Sequence, residues 1–396
     1  MSVREDAILE IGLEPRECEC CGSRDAELVF SSHSIVKRAF SMWRFPMNVA
    51  VCRICGFCFV SPGPKPEDLA QYHAEGLSGY KAIGLPYTIE PRLEVLARYS
   101  APSGVFAEVG GDQAGEFHQR LSGLFGRIID VEISEDTTAQ FRSVHDLPEE
   151  SVDVIAHYDV LEHIGQVRPF LASCHRALKP GGVMVCETPD MRLYPRNLVL
   201  LEFEHTNHFS VTTLAAIAGQ LGLELIEVGH LCSRTYGMVN VFRKTAVPAA
   251  RPLANPIERL DALACLRGGM EQIRRNELQM AALRERMTGL SRRGKRITVW
   301  AVTDLLRRLL DGYELPSTAV IVDADPRRES HLADLGLAVR QPKDCLDHLG
   351  DSELLVICAP RYGLQILEAV TRDTGKTFAR SDVVMLGSGP SGEALI

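Results

Sequence analysis

VDVIAHYDVLEHI (residues 152–164), with LKPGG (178–182) shortly after it, is the stretch that decides the fold. Its first half is a short apolar run, which is typical of a buried strand. Similar runs alternate with helical spacing from about Val105 to Lys244. Strands that alternate with helices predict a parallel α/β sheet for this part of the chain.

A glycine-rich turn follows the first strand of that segment. The strand VFAEV (105–109) ends in Glu108-Val-Gly110-Gly111, and a helix is predicted to begin near Glu116. Glycine in such a turn lets the backbone come close to a nucleotide-like ligand. The second strand ends at Glu132, about twenty residues on, where a carboxylate can accept hydrogen bonds from both ribose hydroxyls.

These motifs, with Glu187-Thr-Pro189-Asp190 after them, resemble the middle and late motifs of class I S-adenosylmethionine (SAM)-dependent methyltransferases over roughly Phe106 to Arg243. With its cysteine-rich N-terminus and its C-terminal α/β pattern, the chain resembles three-domain, zinc-containing methyltransferases, which include bacterial deoxysugar C-methyltransferases. The resemblance implies SAM at the carboxyl ends of the strands. The residues that it assigns to SAM are Glu108, Gly110 and Gly111 in the turn, Glu132 at the ribose, Asp146 or Leu147 beside the adenine, and Asp159 and Leu161 in the wall of the cofactor and substrate site.

The same resemblance implies a catalytic base and a tyrosine on the substrate side. His208, within Thr-Asn207-His208-Phe-Ser, matches the base proposed for the sugar C-methyltransferases, although Asn207 stands where that family has Glu. Tyr72 is the closest match to the tyrosine, with Tyr80 second. The unperturbed pKa of histidine, ~6.5, suits proton removal. A structural role for His208, in which it orders its loop, is equally open.

Neighbouring residues carry further interpretations. Glu204 and His205 are secondary candidates for the base, and His163 is predicted to pack or to fix a loop. Asp146, with His145, has the alternative role of capping a turn before Pro148.

Two features depart from the resemblance. The turn reads Gly110-Gly111-Asp112-Gln113-Ala114, so side chains occupy places where close backbone approach is normally needed. The segment 133–152 is short for a helix and a third strand, so the adenine wall is expected to be truncated. The alternative function is therefore a methyltransferase-fold protein that has lost or repurposed SAM binding and acts as a binding or scaffold protein or in a different reaction.

The cysteines are concentrated at the N-terminus. Of the 12 in the chain, six lie within the first 58 residues, including the pairs Cys18/Cys21 and Cys52/Cys55, each followed by Gly. Two such CxxC turns predict a closed, structural Zn²⁺ site with these four thiolates as ligands. Cys20 and Cys58 lie close enough to compete, and a redox CxxC or buried free thiols are the alternatives.

The composition and net charge limit the classes of molecule that the protein is expected to bind. The chain has 396 residues, a net charge of −9, 45% apolar and 24% charged residues, which is ordinary for a soluble protein. An acidic chain argues against binding to nucleic acid or to anionic membranes. The N-terminus has no signal-peptide pattern, so a cytoplasmic location is expected. The expected partner is a small molecule, such as a nucleotide-linked sugar held by local arginines.

The expected layout is a zinc-binding module (1–68), a helical connector (69–104), a Rossmann-like SAM-methyltransferase domain (105–244), a linker and helix (245–293) and a C-terminal Rossmann-like α/β domain (294–396). In the last domain, Asp323 ends a second strand at a ribose-binding position, but the preceding turn, Trp300-Ala-Val-Thr-Asp304, has no glycine. A substrate-side or structural domain without its own dinucleotide is therefore preferred. The predicted function is SAM-dependent methylation, at carbon or oxygen, of a sugar-like molecule in bacterial glycan or natural-product biosynthesis.

Overall fold

A computed structural model describes residues 8–37, 42–75, 86–111, 116–134, 138–196, 204–229, 237–250, 254–359 and 363–386. By its internal contacts the chain separates into two compact units, with the boundary between Met270 and Glu271. Within the described ranges, no helix combines the length and apolarity that a membrane crossing needs.

The first unit begins with a small sheet built around a long hairpin. The elements of this part of the chain are β1 (Ile8–Glu10), β2 (Leu13–Glu14), β3 (Ala26–Lys37), β4 (Met42–Cys52), β5 (Cys58–Val60), β6 (Gly63–Pro64) and helix α1 (Pro66–Ala74). The strands β1, β3, β4 and β5 belong to the small sheet, whereas β2 and β6 pair with each other in a separate two-stranded sheet. Alternate residues of β4 are buried, namely Trp43, Phe45 and Met47, and they pack with Leu69 and Tyr72 of α1. This period of two is that of a strand with one face in a core. The two strands of the hairpin have 12 and 11 residues.

The central sheet has six strands. In chain order they are β7 (Ala101–Val109), β8 (Phe125–Val131), β9 (Val152–Tyr158), β10 (Leu178–Pro189), β12 (Leu223–Gly229) and β13 (Gly237–Lys244), with a short strand β11 (Asn207–His208) before β12. The spatial order is β12-β13-β10-β9-β7-β8. The predicted α/β sheet is confirmed, with one strand that departs from the parallel arrangement: β13, next to the edge strand β12, is antiparallel to both β10 and β12. Only residues 230–236 separate β12 from β13 in the sequence, whereas a parallel connection needs about a dozen residues or more.

Helices cover both faces of this sheet. They are α2 (Pro86–Ala97), α3 (Glu116–Leu121), α4 (Val167–Ala177) and α5 (Val211–Gly219). Ile89, Leu93 and Leu96 of α2 pack on one face. On the other face, α4 and α5 bury apolar residues at helical spacing, such as Leu171 and Cys174. In the described part of 132–151, the place of a third strand is taken by one parallel bridge, Val131 with Phe141.

A long helix, α6 (Pro256–Arg292), spans the boundary between the two units. The second unit contains a parallel sheet in the order β16-β15-β14-β17-β18. Its elements are β14 (Ile297–Trp300), α7 (Asp304–Leu310), β15 (Ala319–Val322), β16 (Val339–Arg340), α8 (Leu346–Asp351), β17 (Leu354–Ile357), α9 (Gly363–Thr374) and β18 (Val383–Met385). The central strands β14 and β17 are buried along their whole length, as in a sheet covered on both faces.

Candidate active site and cysteine cluster

The four cysteines of the two CxxC pairs come together in one cluster. Their sulfurs lie within 4.8 Å of one another, with Cys18 Sγ 3.5 Å from Cys55 Sγ and Cys21 Sγ 3.4 Å from Cys52 Sγ. A tetrahedral Zn²⁺ with four thiolates places its sulfurs about 3.8 Å apart. The cluster therefore fits Zn²⁺ and would form a closed site with no position for substrate.

The local sequence explains the shape of the two turns. Gly22 and Gly56 have φ angles of +70° and +80°, the left-handed region that glycine enters without strain. Their amides donate to the carbonyls of Cys18 (2.7 Å) and Cys52 (3.1 Å), so each turn closes on its own first cysteine. Hydrogen bonding with neighbouring sulfurs, first with Cys18, lowers the pKa of Cys52 and favours a thiolate in the cluster.

Two side chains beside the cysteines join this module to the central sheet. Arg16 donates to the carbonyls of Thr206 (2.9 Å) and Gly165 (2.7 Å) and to Asn207 Oδ1 (3.0 Å). Burial of the guanidinium lowers its pKa to about 10, so it remains a cation. Asn207 also donates to the carbonyl of Ile164 (2.7 Å). Asn207 stands where the resembling family has Glu. Its side chain bonds to Arg16 and to the carbonyl of Ile164, so these hydrogen bonds go to groups other than His208.

The glycine-rich turn after β7 is tightly enclosed. A Cβ on Gly110, which has a φ of +76°, would lie 2.5 Å from Cγ2 of Val160, and a Cβ on Gly111 would lie 2.4 Å from the carboxyl carbon of Glu108. Gly110 thus requires glycine, whereas a side chain at Gly111 would have to displace the carboxylate of Glu108. The positions Asp112, Gln113 and Ala114, which carried the doubt about this turn, lie outside the described residues.

The second strand brings Glu132 to this turn. The amide of Gly110 donates to the carbonyl of Val131, 2.9 Å away, so the next residue, Glu132, lies beside the turn. Glu132 Oε1 accepts a hydrogen bond from the amide of Ser134 (2.8 Å), and burial raises the pKa of this carboxyl.

Asp146 and Leu147, the candidates for contact with the adenine, are less favourably placed to contact a ligand. Asp146 is exposed, and its carboxylate accepts from the amide of Ser143 (3.1 Å) in a capping box, which is the capping role considered as an alternative. Leu147 is 1% exposed and packs in the core. Its side chain therefore has no open face.

The strand β9 delivers Asp159 to the same edge. Asp159 has a φ of +55°, unusual for a residue other than glycine, and its amide donates to the carbonyl of Glu187, 3.0 Å away. Such backbone strain is concentrated at functional sites. Leu161, two residues on, is fully buried and packs in the core between sheet and helices.

His208 lies where the cysteine module meets the central domain, because β11 pairs with β5 and sets His208 opposite Cys58. Its Nδ1 is 2.5 Å from Tyr194 Oη. Its Nε2 is buried and has no hydrogen-bond partner among the residues that the structure describes. Burial, together with the positive charge of Arg16, lowers the pKa of His208 to about 3, so the ring is neutral at neutral pH. If Nδ1–H donates to Tyr194, the lone pair lies on Nε2.

Four successive contacts between aromatic rings, called here the file of rings, connect Tyr72 to His208. The ring centroids are separated by 5.1 Å for Tyr72–His73, 5.9 Å for His73–His163, 4.8 Å for His163–His205 and 6.4 Å for His205–His208. The structure therefore links the two predicted catalytic residues through three further histidines, of which His205 was a secondary candidate for the base and His163 was predicted to pack or to fix a loop. Tyr80, the second choice for the substrate tyrosine, lies outside the described residues.

Sequence reasoning missed a charged group on the other side of β9. Arg92 of α2 donates twice to Oε2 of the buried Glu187 (3.1 and 3.0 Å) and lies over the ring of Tyr158, 4.0 Å from its centroid. Glu187 stood in a quoted motif, whereas Arg92 gave no local signal because its partners are distant in sequence.

The second unit engages Asp323 internally. Its Oδ2 accepts from the amide of Val302 (2.8 Å) and its Oδ1 from that of Asp325 (2.9 Å). The carboxylate thus holds the turn after β14, in which Ala301 has a φ of +78°. Both carboxylate oxygens of Asp323 are therefore engaged within the second unit, and the preferred interpretation of a domain without its own dinucleotide stays a prediction.

Comparison with known proteins agrees with the central fold. Residues 82–228 match a family model described as a methyltransferase domain. A curated relative from Mycolicibacterium smegmatis, described as a probable S-adenosylmethionine-dependent methyltransferase, is 29% identical over 114 residues. The match covers 25% of this chain and 44% of the relative, so it spans less than half of that protein's length.

Solved methyltransferase structures give remote similarity. An S-adenosylmethionine dependent methyltransferase from Mesorhizobium loti is 16% identical with a TM-score of 0.33, covering 39% of this chain and 98% of that one. One from Aquifex aeolicus is 13% identical with a TM-score of 0.33, covering 46% and 99%. Residues 82–228, which contain the glycine turn and five of the six strands of the central Rossmann-like sheet, thus match a methyltransferase domain.

Proposed function

We propose that the protein transfers the methyl group of SAM to a carbon or oxygen atom of a sugar or sugar-like small molecule. The observation that carries the proposal is that motifs far apart in sequence meet at the carboxyl edge of the central sheet. The amide of Gly110 donates to the carbonyl of Val131, Val160 occupies the space where a Cβ of Gly110 would lie, and the amide of Asp159 donates to the carbonyl of Glu187. SAM would supply an activated methyl group and its own leaving group.

In this proposal the chain's residues bind, orient and remove a proton. The turn at Gly110 and Gly111 would face the methionine and sugar parts of SAM, and Glu132 would hold the ribose. Nε2 of His208 would accept the proton of the acceptor, with Tyr194 fixing the ring, although burial lowers the pKa of His208 and makes it a weaker base than a free imidazole. The sugar class rests on the resemblance of the whole layout, with zinc at Cys18, Cys21, Cys52 and Cys55 as a structural ion.

SAM binding is the first test, because its absence would favour the alternative of a repurposed fold. Isothermal titration of the full chain should give one SAM per chain. Gly110→Ala should abolish binding, because its methyl group would collide with Val160. Gly181→Ala is the matched control: Gly181 has a similar φ of +75° but nothing within 4 Å of an added Cβ, so SAM affinity should persist.

Turnover is the second test. With labelled SAM and a panel of nucleotide-linked sugars, mass spectrometry should find a methylated product. His208→Ala should retain SAM binding and lose turnover by about 10²-fold or more. A variant with the wild-type rate would remove His208 as the base and leave its structural role.

A further inference from the structure

Three side chains converge beside the file of rings and apart from the cysteine cluster. Glu162 and His163 belong to the short turn after β9, and His205 precedes β11. One donor atom from each, a carboxylate oxygen and two imidazole nitrogens, lies within 4.8 Å of the others. Glu162 is 1% exposed and His205 5%, whereas the side chain of His163 is 18% exposed.

The hydrogen bond of His163 decides which of its nitrogens faces this group. Its Nδ1 is 3.1 Å from the carbonyl oxygen of Glu204, which can only accept, so Nδ1 carries the proton. In the neutral ring the lone pair is then on Nε2, and this is the atom that lies 4.0 Å from Oε1 of Glu162. A cation between these two acceptors would bind both of them.

The donor set suits a metal ion. An imidazole whose other nitrogen donates to a backbone carbonyl is the usual arrangement of a metal-ligating histidine. Nitrogen and oxygen ligands of a tetrahedral ion stand about 3.4 Å apart for bonds near 2.1 Å. The observed spread of up to 4.8 Å closes to this value with a small inward movement of three side chains. With two imidazoles and one carboxylate as ligands, the metal ion keeps at least one coordination position open for a further ligand.

We propose that Glu162, His163 and His205 bind a divalent first-row transition-metal ion, and that its open position holds an oxygen atom of the acceptor. The ring of His205 lies 6.4 Å from that of His208, so the bound oxygen would lie near the base. The metal site rests on the three side chains alone, whereas its role in holding the acceptor rests on the proposed methyl transfer.

A proton in place of the metal is the rival. An imidazolium at His163 would also neutralise the buried carboxylate of Glu162, and it would bind no metal. The metal content of the protein therefore distinguishes a bound metal ion from a protonated His163, provided that the metal in the cysteine cluster is counted separately.

The test uses the full chain, loaded with Co²⁺ after removal of its metals. We expect two Co²⁺ per chain, one with the intense charge-transfer absorption of thiolate ligands and one with only weak visible bands. Glu162→Gln and His205→Ala should each lower the content from two to one and leave the thiolate bands. Cys55→Ser should remove the thiolate bands and leave the second ion. His33→Ala, at an exposed histidine, should retain both ions.

One Co²⁺ per wild-type chain, or a second ion that survives His205→Ala, would overturn the site. Wild-type protein with Cu²⁺ in the second site gives a measurement that needs no folded variant, because electron paramagnetic resonance should resolve coupling to two imidazole nitrogens. Coupling to none would also overturn it. SAM titration on the same samples keeps the proposals apart: SAM binding without the second ion contradicts this site alone, and a second ion without SAM binding contradicts methyl transfer alone.

Discussion

At the scale of single residues, His157 is placed in the middle of the stretch that decides the fold. It lies in β9, is fully buried, and has its ring at right angles to that of Phe170, 5.4 Å away. Neither ring nitrogen has a hydrogen-bond partner within the described part of the chain. Burial lowers the pKa of His157 to about 3, so the folded protein holds it neutral.

We predict that His157→Phe makes the protein less sensitive to acid. Between pH 6.5 and about 3, unfolded His157 binds a proton that the folded residue does not, so its contribution to the free energy of unfolding falls as the pH falls. The slope is about 1.4 kcal/mol per pH unit for one proton. Urea unfolding at several pH values should show that His157→Phe removes one proton from the uptake on unfolding.

A His157→Phe variant with an unchanged slope would show that His157 is charged in the folded protein.

At the scale of elements, the cysteine module caps a helix of the central domain. Glu19, between the ligands Cys18 and Cys21, accepts hydrogen bonds from the amides of Val167 (3.2 Å) and Arg168 (3.3 Å). These are the first two residues of α4, whose own preceding residue, Gln166, makes no side-chain cap. The negative charge also suits the positive end of the helix dipole.

We predict that Glu19→Ala lowers the free energy of unfolding by about 1 kcal/mol, the usual effect of losing a helix cap. Glu17→Ala is the matched control, because Glu17 is 55% exposed and pairs with the exposed Arg24, and such pairs contribute roughly 0–1 kcal/mol. Chemical denaturation should place Glu19→Ala clearly below Glu17→Ala. Equal stabilities would mean that Glu19 does not act as the cap.

The strand β11 depends on the cysteine site in a similar way. It belongs in sequence to the central domain, yet it pairs with β5 three residues after Cys55. We predict that chelation of the metal speeds hydrogen exchange at β11 and leaves β14, in the second unit, unchanged. Mass spectrometry after exchange would measure both. Unchanged protection of β11 after complete metal loss would contradict this dependence.

Short sequence patterns predicted the features that depend only on neighbouring residues. The CxxC turns, their left-handed glycines and the buried strands follow from a few adjacent residues, and the turn glycines of β7 were found in the same way. The pairing of β11 with β5 and the contacts of Arg16 join residues about 150 to 190 positions apart, so no short pattern contains them. The antiparallel β13 was missed because strand direction depends on the connection and not on the apolar run itself.

At the scale of the whole molecule, each unit has its own hydrophobic core. Leu171 belongs to the core of the first unit and Leu306 to that of the second, and both side chains are fully buried. Every residue proposed for SAM, for the base and for the metals lies in the first unit. The chain has two tryptophans, and Trp43 and Trp300 fall one in each unit.

We therefore predict that damage to the second core leaves SAM binding intact. Leu306→Ala should lower the stability of the second unit by about 2–5 kcal/mol, the range for a buried leucine. Single-tryptophan backgrounds, Trp43→Phe and Trp300→Phe, let fluorescence follow the two units separately in urea. Leu306→Ala should shift the transition seen by Trp300 and keep the SAM affinity of the wild type. Leu171→Ala should shift the transition seen by Trp43 instead. Equal shifts of both transitions by Leu306→Ala would mean that the two cores unfold together, and a loss of SAM affinity in folded Leu306→Ala would mean that the cofactor site needs the second unit.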